Sequence, residues 1–225
     1  MERERAGHGL RTEPPGVGGR IVALLPGSRI VEIQRILPRL LKAVGLLPAA
    51  KGAGAEPPLR IAIPAANDGA ERAIRKIVSS FDGLPPMEIL RGGARDILKK
   101  ASCAAVASGT ATLEAALARC PTVLVYAVSP LLAWFARRVI TGVKHVGLVN
   151  VVAEKCGFAP PMPELLQEAF TPEAVAARLE TWLDDDDARE LAAKGLEGAL
   201  SHLRAEGEPL ETAAREILAH CTGVV

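Results

Sequence analysis

Apolar residues along this chain come in two patterns that alternate. Short, solid apolar runs suit strands buried on both faces of a parallel sheet, and longer stretches carry an apolar stripe at helical spacing. Ile21–Leu25 is the first solid run. After Pro26, Gly27 and Ser28 the period changes: Ile30, Ile33, Leu37, Leu40, Leu41 and Val44 share one helical face, with a kink expected at Pro38. Residues 51–58 read as a loop, 59–64 as a strand and 69–80 as a helix. Strands are then predicted at 87–90, 104–107 and 122–126, separated by helices at 94–101 and 110–118. Strands alternating with helices predict an α/β fold, a parallel sheet flanked by helices.

From Thr171 onward the pattern is helical. Thr171 before Pro172 and Glu173 is a strong start signal. The acidic run 184–187 reads as a solvated turn that also caps the next helix, and helices are expected at 188–204 and 209–220. The expected organisation is a linker at 1–20, an α/β domain at 21–170 and a C-terminal helical segment at 171–225. Residues 1–20 are charged and rich in Gly and Pro, unlike a signal peptide. Residues 120–136 carry no charge and approach the length of a membrane span. Pro130 interrupts them, and strand, turn and helix is the better reading.

Composition narrows the function. The 225 residues are 49% hydrophobic and 24% charged with a net charge of +1, which gives no electrostatic case for nucleic acid as a partner. Aromatics at 3% leave little for base stacking. Cys103, Cys120, Cys156 and Cys221 are widely spaced, with no histidine at ligand spacing, so reduced thiols in a cytoplasmic protein are expected rather than a metal site.

In parallel sheets ligands gather at the carboxyl ends of the strands. That rule selects residues 26–29, 90–93 and 108–110. In the first loop Gly27 permits a close turn, Ser28 and Arg29 open a helix, and free N–H groups with a guanidinium fork suit a diphosphate. An ordinary turn with Ser28 as the cap and Arg29 in solvent remains open. In the other loop Ser108, Gly109, Thr110 and Thr112 again open a helix, and Glu114 stands one turn in, where its carboxylate could accept from a ribose diol. Here too Ser108 or Thr110 as a plain helix cap remains open. Gly16, Gly18 and Gly19 precede the first strand, so they make no dinucleotide fingerprint, and the chain has no P-loop motif.

The string from Leu24 through Arg29 with Glu32 and Ile33, followed about 80 residues later by the string from Ser108 through Glu114, resembles the lipid-A-disaccharide synthase family. The segments 149–153, containing Asn150, and 163–167, containing Glu164 and Gln167, resemble that family's next signature, although Val149 stands where the family has proline. The resemblance runs from about residue 20 to the C-terminus. It implies the C-terminal, Rossmann-like half of a metal-independent, inverting GT-B glycosyltransferase that needs no cofactor. The reaction it implies transfers 2,3-diacylglucosamine from UDP to 2,3-diacylglucosamine 1-phosphate.

By carry-over, Gly27, Ser28 and Arg29 would face the diphosphate, with Ser108, Gly109, Thr110 and Thr112 completing the cradle. Glu114 would take the ribose hydroxyls, and Asn150, Glu164 and Gln167 would lie at the cleft. The partners implied are UDP-2,3-diacylglucosamine, held by its UDP moiety, and an acylated sugar-phosphate acceptor bound by an N-terminal domain. That domain would also supply the general base, since His145 reads as isolated. A homodimer or a separately encoded N-terminal half would then complete the enzyme. Residues 131–138, with Trp134 and Phe135 beside two arginines, read either as a peripheral contact with the inner membrane or as a helix packed on protein. Another UDP-sugar enzyme and a non-catalytic nucleotide-binding module are the competing functions.

Overall fold

The computed structural model describes residues 20–51, 58–127 and 144–201. Among these, strands β1 (Ile21–Leu25), β2 (Arg60–Ala65), β3 (Met87–Arg91), β4 (Cys103–Ala107), β5 (Thr122–Tyr126) and β6 (Glu164–Leu166) form one sheet in the order β3-β2-β1-β4-β5-β6. Every pairing is parallel. The chain winds outward from β1 to β3, then returns to the opposite side of β1 as β4. This reversal is a topological switch point, which leaves a crevice between the loops after β1 and β4.

The α-helices among the described residues are α1 (Ile30–Leu46), α2 (Asp68–Val78), α3 (Ala94–Lys100), α4 (Thr110–Leu117), α5 (Leu148–Lys155), α6 (Pro172–Asp184) and α7 (Asp186–Ser201). Side chains alternate across the pleat, so each central strand feeds two cores. Val22, Leu24, Ile61, Ile63, Ala105 and Val125 pack with α1, α2 and α6 on one face. Ala23, Leu25, Ala104 and Val106 meet Ile97, Ala115, Val149 and Leu196 of α3, α4, α5 and α7 on the other. Nearly all of these side chains are fully buried, as the solid apolar runs require. Cys103 and Cys120 lie inside the cores as free thiols, and burial pushes the Cys120 thiol up to about 12.

The elements expected through residue 126 are all present, with ends shifted by a residue or two. Pro38 does not end α1, which runs unbroken through it. The carbonyl left without a helical donor belongs to Gln34, on the exposed side of the helix where solvent can replace the lost bond. Ile30, expected on the buried stripe, is 48% exposed, because the first turn of α1 overhangs the crevice instead of the core. Thr171 caps α6 by accepting from the Ala174 N–H at 3.2 Å. The acidic run contains a single break, at Asp185, whose Oδ1 accepts from the Ala188 N–H at 2.9 Å. Both helices of the 171–201 stretch pack back onto the domain: α6 lies along α1 and β4, where the Cys103 Sγ–H donates to the Leu179 carbonyl at 3.8 Å, and α7 rests on α4, α5 and α6. The helix expected at 209–220 and the 131–138 segment lie outside the described residues.

Candidate functional site

The loops after β1, β2, β3 and β4 enclose an open cleft of about 320 Å³ at the switch point. Its wall includes Gly27, Ser28, Arg29, Glu32, Pro64, Ala66, Gly92, Ser108, Gly109, Thr110 and Glu114. Arg29 is the one cationic side chain lining it among the described residues. The N-termini of α1 and α4 both open into the cleft, so two sets of unpaired N–H groups and two positive dipole ends converge there.

Two glycines shape the walls. Gly27 has φ +105°, and a Cβ there would lie 2.6 Å from Glu32 Oε2. Gly109, the residue before α4, has φ 153° and ψ −161°, a conformation open essentially to glycine alone. Neither helix uses the cap proposed for it as an ordinary turn. Arg29, not Ser28, is the N-cap of α1, and Glu32 reaches back to it, accepting from Arg29 N–H at 3.4 Å and from Nη1 at 3.1 Å. Gly109 precedes α4 with no side-chain cap. The Ser28, Ser108 and Thr110 hydroxyls therefore stay open to the cleft, without hydrogen bonds among the described residues. Glu114 is half-buried, and its carboxylate has no partner among the described residues.

Thr112 is placed differently. It is 1% exposed, and its hydroxyl donates to the Gly109 carbonyl at 2.7 Å, beneath the loop rather than in the cleft.

Asn150 and Glu164 meet each other at a separate corner, where the start of α5 rests on β6. Asn150 is fully buried: its Nδ2 donates to the Met162 carbonyl and to Glu164 Oε1, both at 2.7 Å, and its Oδ1 accepts from Met162 N–H at 3.0 Å. Glu164 also accepts from the N–H groups of Val146 at 2.9 Å and Gly147 at 3.1 Å. It thus acts as a carboxylate cap supplied to α5 by a distant strand. His145 is not isolated: it stands 3.7 Å from Glu164 and 3.9 Å from Glu154. Gln167 follows β6 with φ +51°, away from the residues that line the cleft. The structure therefore groups the residues of the first two motifs around one cavity and draws Asn150 and Glu164 into a self-contained network.

Sequence reasoning included Gly92 only within the loop 90–93 and named Glu32 with the first motif without a role, and it did not select Pro64 or Ala66. The reach-back of a glutamate three residues after a helix cap was the signal available for Glu32. No group of three metal-ligating side chains converges among the described residues.

A glycine-shaped cleft flanked by two helix N-termini at the switch point of a parallel sheet defines a doubly wound, Rossmann-like α/β domain. The fold is similar to that of CalG4, the calicheamicin glycosyltransferase, at a TM-score of 0.50 and 20% identity, covering 95% of this chain and 45% of that one. The sequence profile of the lipid-A-disaccharide synthetase family matches residues 17–218. The lipid-A-disaccharide synthase of Syntrophus aciditrophicus is 39% identical over 183 residues, 81% of this chain and 44% of the relative. That of Saccharophagus degradans is 35% identical over 199 residues, 88% of this chain and 48% of the relative. The chain belongs to the lipid-A-disaccharide synthetase family. It spans about half the length of the curated relatives it matches.

Proposed function

We propose that the switch-point cleft binds the UDP moiety of a sugar donor, and that these 225 residues form the donor half of a lipid-A-disaccharide synthase. One observation carries the reading: the Arg29 guanidinium, two helix N-termini, three hydroxyls and the Glu114 carboxylate, the last four without a partner among the described residues, all line a single cavity. The diphosphate sits against Arg29 and the N–H groups of the two helices, which are donors suited to anions. Glu114 accepts from the ribose hydroxyls. In the transfer of 2,3-diacylglucosamine to 2,3-diacylglucosamine 1-phosphate, UDP leaves as an anion. The dipoles and Arg29 stabilise the charge that develops on it.

Among the described residues the cleft offers no unengaged base other than Glu114, which the ribose occupies. The base that activates the acceptor hydroxyl comes from outside these residues, from another segment, a separately encoded half or a second copy, and the transfer inverts the anomeric centre. Alone, these residues bind donor and do not turn it over. Because both sugars are acylated, a peripheral membrane contact is proposed at residues 131–138.

Calorimetry with UDP tests the reading. Wild type should bind saturably, and Arg29→Ala and Glu114→Ala should each lose about 1–3 kcal/mol, the range for hydrogen bonds to charged groups. A folded wild-type chain that takes up no UDP would refute it.

A further inference from the structure

Glu32 lines the anion cleft although it carries the wrong sign for a ligand group there. Its carboxylate lies against Gly27 so closely that a Cβ on that residue would come within 2.6 Å, and one of its oxygens faces Arg29 N–H while the other takes Nη1. Among the described residues Arg29 is otherwise free. Its side chain is 82% exposed, and Glu32 is its one ion-pair partner among the described residues. An arginine fork has five N–H donors, so engagement of Nη1 leaves Nε and Nη2 for an incoming anion.

We infer that Glu32 is a positioning residue for anion binding. It anchors one edge of the Arg29 guanidinium over the cleft so that the other edge meets the ligand without a search through rotamers. The inference rests on the cleft being an anion site, the reading given above. Glycine at 27 fits the same role, because a side chain there would displace the carboxylate that holds Arg29. The effect belongs to Arg29, so it should vanish when Arg29 is removed and should not reach the uncharged part of a ligand.

The test is a double-mutant cycle read by calorimetry with three probes: UDP, inorganic pyrophosphate and uridine. Glu32→Gln removes the ion pair and should weaken UDP and pyrophosphate roughly fivefold, the upper range for an exposed pair. Glu32→Asp keeps the charge but shortens the reach, and should lose a similar factor. Neither substitution should change uridine binding, and neither should weaken UDP further in an Arg29→Ala background. Tighter UDP binding by Glu32→Gln would mean that the carboxylate competes with the anion, and would overturn the inference. An equal loss with and without Arg29 would also overturn it, since Glu32 would then act only through the turn. If pyrophosphate binds and responds as described while UDP does not bind, the inference stands and the nucleotide reading fails. If neither anion binds the folded wild type, both fail.

Discussion

Glu114 and Glu164 are both drawn from motifs that open or hold a helix, yet the molecule uses them in opposite ways. Glu164 is nearly buried, its side chain 8% exposed, and its two oxygens accept from two backbone N–H groups and the Asn150 amide. Glu114 is half-buried, faces the cleft and accepts from no group among the described residues. A carboxylate whose lone pairs are filled by its own protein holds structure. One that keeps them open at the mouth of a cavity is available to a ligand. The same division separates Thr112, turned under its loop, from Ser108 and Thr110, which face out.

The largest test of this division is Asn150→Asp. It sets a second carboxylate 2.7 Å from Glu164 Oε1 in a buried corner and removes the donor that the Met162 carbonyl uses. A loss of about 3–5 kcal/mol is expected, as for an uncompensated buried charge. Denaturant unfolding measures it, and UDP affinity of the protein that remains folded should be unchanged. A stable Asn150→Asp chain that fails to bind UDP would place Asn150 with the ligand residues and break the comparison.

Gly27→Ala comes next and belongs to both categories. It should destabilise the fold by about 1–3 kcal/mol for the strained positive φ, and it should also weaken UDP because the methyl group pushes Glu32 aside. Thermal unfolding and calorimetry on one preparation measure the two effects together. Thr112→Val is smaller: it leaves the Gly109 carbonyl without its 2.7 Å donor and should cost about 1 kcal/mol of stability. Any UDP effect should be no larger than that, and a much larger one would move Thr112 from the underside of the loop into the cleft.

Much of the fold was legible because its central strands are short, solid and buried on both faces, a pattern no surface element imitates. β4, for instance, is five buried small or apolar residues. The loops after β1 and β4 were legible as helix starts for a related reason, since glycine and hydroxyl residues directly after such a strand mark a helix N-terminus. What the pattern could not carry is direction. Thr110 and Thr112 sit two residues apart on one helix and read alike, yet α4 turns one outward and the other under Gly109. β6 escaped because it has three half-buried residues at the sheet edge and is tied in by Glu164, whose partners lie 14 to 18 positions away. The reassignment of Ile30 has the same root: an apolar stripe fixes which helical face is inward, but not where along the helix the core gives way to an open crevice.

An effect as small as that of Thr112→Val reaches the chemistry of Glu114 itself. If its open carboxylate takes the ribose diol, Glu114→Gln keeps the size and one acceptor oxygen but loses the charge. UDP affinity should then fall by about 1 kcal/mol, the difference between a charged and a neutral hydrogen bond. The same substitution should leave 2′-deoxy-UDP nearly unaffected, because a ligand lacking one hydroxyl makes less use of the carboxylate. Stability should not change, since no protein group among those described relies on the Glu114 side chain. This cycle separates a ligand carboxylate from one that merely complements the positive end of α4. In the second case Glu114→Gln would change stability by a few tenths of a kcal/mol, and UDP and 2′-deoxy-UDP would respond alike. Equal responses would therefore leave the cleft its anion donors but take away its ribose contact, and Glu114 would join Glu164 as a carboxylate that serves a helix N-terminus.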